Sequence, residues 1–180
     1  LLFSVDTSAQ SGDKICVNVI TDPISQDSVP SNNNYTWCYS VVNSYDPNNK
    51  LVYPGTVEPG YDNWLTYTIN FQNTGSAPAY DIRLEDTLSN LVDLSSFEVI
   101  GYSHSNSYNL EGKKLRVFYP NILLPDSTTD LEASKGYFQY RVKPLSSMSA
   151  GTDIDNEAFI YFDYNAPIQT NTATTSCQLM

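Results

Sequence analysis

Few residues in this chain could do chemistry, and their types restrict what it could be. His104, in Tyr102-Ser-His-Ser-Asn-Ser107, is the single histidine. One imidazole with no cysteine close by in sequence cannot build a zinc site of the common kinds. No G-x-S-x-G elbow, phosphate-binding glycine loop or H-E-x-x-H is present, so the familiar hydrolase and nucleotide chemistries lack their parts. Three cysteines occur. Cys16 and Cys38 flank a long loop at comparable positions on two strand-like segments. A bridge there would stabilise by about 3 kcal/mol on the chain-entropy model, and the alternative is two buried thiols. Cys177 is then left over, in what reads as a fraying tail.

Oxygen-rich strings suggest a second chemistry. Asp46, Asn48 and Asn49, and separately Asp163 and Asn165, offer carboxylate and amide oxygens of the kind Ca²⁺ takes six to eight of. The same residues are ordinary turn formers. If the first and last strands run parallel, the two strings are expected at opposite poles, unable to share an ion. No cofactor is required, and Ca²⁺ is the candidate ion. A third chemistry is condensation of a lysine amine with an asparagine carboxamide. Lys50 on a first strand and Asn156 on the last could meet, with a carboxyl such as Glu85 moving protons. Nothing in the spacing demands it, and Asn156 equally satisfies backbone groups at a strand entrance.

The elements that must position these residues read as strands. In Trp64–Phe71, Leu65, Tyr67, Ile69 and Phe71 fall on one face, with Thr66, Thr68 and Asn70 on the other. Asp81–Glu85 alternates likewise, with Ile82 and Leu84 inward. Phe97–Tyr102, Lys114–Tyr119, Tyr137–Lys143 and Asp155–Phe162 are further strands. Turn signals separate them at Asn73-Thr-Gly75, Leu110-Glu-Gly-Lys113, Leu124-Pro-Asp-Ser127 and Ala150-Gly-Thr152. Helical periodicity is confined to one turn, at Asp130–Ser134. Many short strands with polar turns predict an all-β, antiparallel immunoglobulin-like β-sandwich. Upstream, Lys14–Thr21 and Tyr35–Val42 predict an extra N-terminal β-hairpin, which cannot stand alone in water. The expected division is 1–43, an accessory hairpin or the closing strands of a preceding domain; 44–175, the main sandwich; and 176–180, a tail.

Composition excludes several functions. The chain has 180 residues and a formal net charge of −11, which disfavours nucleic acid and anionic membranes as partners. Only 16% of residues are charged, while 17 Asn, 21 Ser and 15 Thr carry much of the polarity, a surface common on secreted β proteins. No apolar run is long enough to span a membrane, so membrane insertion is not expected. No export signal opens the chain, and one is expected outside these residues.

Several strings agree in order with a known pattern: Val57-Glu-Pro-Gly60, Leu65–Ala79, Leu84-Glu-Asp-Thr-Leu88 and Asp155–Phe162. Together they resemble the DUF11-type repeat of bacterial surface proteins, an immunoglobulin-like sandwich. Ser44–Lys50 and Ile160–Asn171 narrow the likeness, resembling the domain that precedes the sorting signal of type IX-secreted gliding and adhesion proteins. An Asp is expected where Asn49 stands, and its loss weakens a cation site there. The resemblance implies an extracellular, cell-surface location and a non-enzymatic structural or adhesive role as a stalk segment. Its implied partners are neighbouring domains of the same chain, the secretion machinery, and surface or matrix glycans. It also implies O-glycosylation at Asp-Ser/Thr-apolar strings, on Ser28, Thr87 and Ser127. The rival reading is a carbohydrate-binding module of a secreted enzyme, with Trp37, Trp64, Tyr61 and Tyr108 as stacking platforms.

Overall fold

The computed structural model describes residues 14–20, 29, 33–40 and 47–179. The chain divides into two compact units, Leu1–Asp46 and Pro47–Met180.

In the first unit, β1 (Lys14–Ile20) and β2 (Asn34–Ser40) form an antiparallel pair. Their register sets Cys16 directly across from Cys38. Val17, Val19 and Ile20 are exposed.

The second unit is an all-β sandwich, immunoglobulin-like in its alternating strands and two-layered sheets. One layer is the four-stranded sheet β3 (Asn49–Tyr53), β5 (Leu65–Gln72), β10 (Lys135–Pro144) and β7 (Val92–Tyr102). The other layer has two parts. One is β11 (Thr152–Asn156), β14 (Ala173–Cys177) and β4 (Thr56–Val57). The second runs in the order β13 (Ile168–Gln169), β12 (Ala158–Phe162), β6 (Ile82–Thr87), β9 (Lys114–Tyr119) and β8 (Ser107–Glu111). Every described pairing is antiparallel except β4 with β14.

Period-two alternation supplies the core. Leu65, Tyr67, Ile69 and Phe71 of β5 are at most 1% exposed, and Ile82 and Leu84 of β6 join them. β10 contributes Phe138, Tyr140 and Val142, and β9 contributes Leu115, Val117 and Tyr119. β-branched and aromatic side chains on one face of each strand suit a pleated, half-buried surface. Gly136 lies across from Phe71 in the β5–β10 ladder, and a Cβ there would collide with the Phe71 ring. The expected helical turn forms, with Ser134 N–H donating to the Asp130 carbonyl at 3.0 Å.

Two boundaries differ from the sequence reading. Asp155–Phe162, expected as one strand, breaks at Glu157 into β11 and β12, which pair with different neighbours. Thr170 holds the break open: its hydroxyl accepts from Ala158 N–H and its own N–H donates to the Ala158 carbonyl. The expected tail from residue 176 is also corrected. Ser176 and Cys177 belong to β14, opposite Asp153 and Thr152, and Gln178 N–H donates to the Val57 carbonyl. Cys177 does not fray: it alternates inward with Ala173 and Thr175 and is 1% exposed.

Candidate functional site

Lys50 enters the core because β3 alternates. Its neighbour Leu51 is half exposed, whereas Lys50 faces inward on the side of Val52 and has no exposed surface. The backbone is fixed on both sides. β5 pairs Lys50 with Ile69, and the Asn171 carboxamide accepts from Lys50 N–H at 3.0 Å and donates to its carbonyl at 2.9 Å. The side chain therefore has one direction to run, across the sandwich.

Its ammonium nitrogen meets three polar groups. Nζ contacts Asp86 Oδ2 from β6 and the Asn156 carboxamide oxygen from the end of β11, and lies 3.2 Å from the Tyr140 hydroxyl. The Tyr140 hydroxyl in turn donates to Asp86 Oδ2 at 2.8 Å. Tyr67 and Tyr140 are cross-strand partners whose stacked rings, 5.2 Å apart, wall the site. Nζ sits 5.1 Å from the Tyr67 ring centroid and 5.5 Å from that of Tyr140. Asp86 and Asn156 are 1% and 5% exposed. Asp86 Oδ1 and the Tyr67 hydroxyl have no hydrogen-bond partner.

Burial governs the electrostatics. It pushes the Lys50 ammonium down from its ordinary range, because the charged form loses its water, while Asp86 opposes the shift. Burial likewise pushes the Tyr67 and Tyr140 hydroxyls up, so both stay protonated. The Lys50 amine, itself without exposed surface, thus touches both a carboxyl and a carboxamide.

Glu85, expected as the carboxyl of this group, is not in it. It lies on the opposite face of β6, beside Lys114 at 3.0 Å and Arg83 at 3.5 Å. Asp86 takes the place because it shares the inward face of Ile82 and Leu84. That signal was available from the alternation alone.

The other expected site residues lie outside this contact group. Asp46 and Ser28 lie outside the described residues, as do the side chains of Trp37 and Cys38. Asn48 Oδ1 accepts from Gln72 N–H, and Asn49 Oδ1 accepts from the Asn70 side chain. Asp163 Oδ1 accepts from the N–H groups of Tyr80 and Asp81, at 2.8 and 2.7 Å. Asn165 lines a 230 Å³ recess with Gln72 and Asn73. The two oxygen strings therefore both adjoin Gln72, although β4 and β14 are parallel. They share a pole because Asp163–Asn165 belongs to the turn before β13 and β14, not to the last strand. Among the described residues no three His, Cys, Asp or Glu side chains are grouped to hold a metal.

Thr87 is exposed at the end of β6, and Ser127 is half-buried with its N–H on the Asn73 carbonyl. Tyr61 donates to the Trp64 carbonyl at 3.2 Å, and the Trp64 ring lies against the Arg141 guanidinium, 4.2 Å from its centroid. Tyr108 is 52% exposed and packs beside Phe97 and Phe138. His104 is half-buried against the Ser103 hydroxyl, and burial lowers its pKa.

Among solved structures, the chain is similar in fold to the N-terminal domain of the Streptococcus gordonii adhesin Sgo0707. The TM-score is 0.55 at 15% identity, covering 79% of this chain and 34% of that one. It is also similar to the major pilin subunit of Bacillus cereus, with a TM-score of 0.52 at 13% identity over 91% of this chain and 48% of that one. It thus spans about a third to a half of these chains. No curated protein matches. Residues 46–176 match the model of the domain of unknown function DUF7619, and the chain belongs to that family.

Proposed function

We propose that this domain is a non-enzymatic structural or adhesive segment of an exported bacterial cell-surface protein. The observation that carries the reading is the parallel pairing of β4 with β14, the early and last strands of the sandwich. Strands laid side by side in the same sense send the incoming and outgoing chain to opposite poles. A domain threaded this way adds its length to a string of neighbours, and tension on its ends loads the β4–β14 bonds in shear. The fold likeness to an adhesin domain and a pilin subunit supports the same role. The strings around Ser44–Lys50 and Ile160–Asn171 support a place near the sorting signal of a type IX-exported, DUF11-like array. Neighbouring domains of the same chain are then its first partners, and surface glycans are a candidate ligand.

Single-molecule stretching of a tandem chain of this domain tests the reading. Resistance well above that of a sandwich pulled strand by strand is expected. Unfolding at low force would overturn the stalk role, and hydrolytic turnover lost on changing one carboxylate would overturn the non-enzymatic one.

A further inference from the structure

The Lys50 site is over-equipped for an ion pair. A buried carboxylate that serves only stability should have its lone pairs satisfied, yet Asp86 Oδ1 has no partner. An ion pair also has no need of a carboxamide, yet Asn156 is brought from another strand into contact with Nζ. Burial favours the uncharged amine, and an uncharged amine is a nucleophile. The Asn156 oxygen it touches belongs to a carboxamide, whose Cγ is electrophilic.

We infer that Lys50 Nζ condenses with Asn156 Cγ in the folded domain, forming an amide crosslink between β3 and β11 and releasing ammonia, with Asp86 as proton carrier. The balance closes without oxidant, metal or cofactor. The proton of the Lys50 ammonium passes to Asp86, leaving a free amine and a carboxylic acid. The amine lone pair attacks Cγ, the Nζ–Cγ bond forms, and the Cγ–Oδ1 π electrons move onto Oδ1, where the acid proton stabilises the charge. Asp86 then takes a proton from Nζ and delivers one to Nδ2. The Cγ–Nδ2 bond breaks, the carbonyl re-forms, and ammonia departs.

Fixing the reactants in contact is worth an effective concentration of about 10⁵–10⁸ M for well-oriented groups. The rings of Tyr67 and Tyr140 keep water from competing for Cγ. Asn156 also lines a surface recess of 460 Å³ with Thr87, Asp155, Glu157, Phe159 and Thr172, which gives the ammonia a way out.

Intact mass spectrometry of the purified domain, after its cysteines are reduced, tests the inference. The expected mass is lower than that of the sequence by one ammonia. Proteolysis should yield a branched peptide joining the Lys50 segment to the Asn156 segment. Asp86→Asn, with its fold checked by circular dichroism, should restore the full mass, as should Lys50→Met. A folded wild-type domain of full sequence mass would overturn the crosslink. So would an ammonia loss confined to an unbranched Asn156 peptide, which is a succinimide. A branched peptide that persists in Asp86→Asn would overturn the role of Asp86. The inference goes beyond the stalk reading, because a full-mass domain would end the crosslink while a high unfolding force would still uphold the stalk role.

Discussion

A lysine without exposed surface survives in a sandwich core only when neighbouring groups answer its charge or remove it. Lys50 has Asp86, Asn156 and the faces of two tyrosines. Asp86→Ala would leave the amine buried without its partner, and a loss of about 3–5 kcal/mol is expected on the scale of broken buried pairs. Urea unfolding of both proteins measures it. A second carboxyl, Asp126, is held by a turn. Asp126 accepts from the hydroxyls of Thr128 and Thr129 and from both their N–H groups, which lowers its pKa to about 2 from an ordinary 3.8. A depressed folded pKa gives stability that is full above 3.8 and lost as pH falls through about 2. The Asp126–Ser134 turn should therefore loosen across that window. An NMR titration of the Asp126 carboxyl checks this, and a midpoint near 3.8 would contradict it.

Elements show where packing has no slack. Gly136 sits under the Phe71 ring, so Gly136→Ala must displace that ring or the β10 backbone. Overpacking of this kind costs about 1–3 kcal/mol, readable as a lower urea midpoint at unchanged slope. In the hairpin, directly opposed residues of an antiparallel pair have Cα atoms about 4.5–5.5 Å apart, within the range a disulfide spans. A Cys16–Cys38 bridge is accordingly expected to hold β1 to β2. Reductant should make residues 14–40 protease-sensitive and leave the melt of the 47–180 unit unmoved. An unchanged protease map would dispose of the bridge.

Strands such as β5, β6 and β9 were legible because apolar residues alternate with Thr, Asn, Arg and Lys along them. The break at Glu157 was not, because the alternation runs on past it and only Thr170, from the segment between β13 and β14, exposes the change of partner. Lys50 could be paired with Asn156 in sequence, but its burial was hidden by its charge. Asp86 was hidden by Glu85, an equally good carboxyl one residue away on the wrong face. Cys177 was hidden by its nearness to the end of the chain, since inward alternation over Ala173, Thr175 and Cys177 is short and half polar.

For the whole molecule, the acidic balance of −11 and the oxygen-rich strings raise the question of calcium. Asp163 already receives two backbone N–H groups, and Asn48 and Asn49 accept from Gln72 and Asn70. With these oxygens already engaged inside the fold, adding a chelator is expected to leave the melting temperature of the domain unchanged. A drop of several degrees would instead assign them to an ion.

The burial of Cys177 in the last strand sets an order of events during oxidative folding. Until β14 docks beside β11 and β4, three thiols compete for one oxidising equivalent, and two of the three pairings are wrong. Once it docks, the wrong pairings are closed off by the sandwich itself, so the thiol is protected by timing as much as by position. Oxidant supplied from the start of refolding should produce isomers that link Cys177 to Cys16 or Cys38. Oxidant delayed until the sandwich has formed should leave Cys177 as the lone thiol that reacts only after unfolding. Equal isomer patterns under both schedules would show that the hairpin closes before β14 matters.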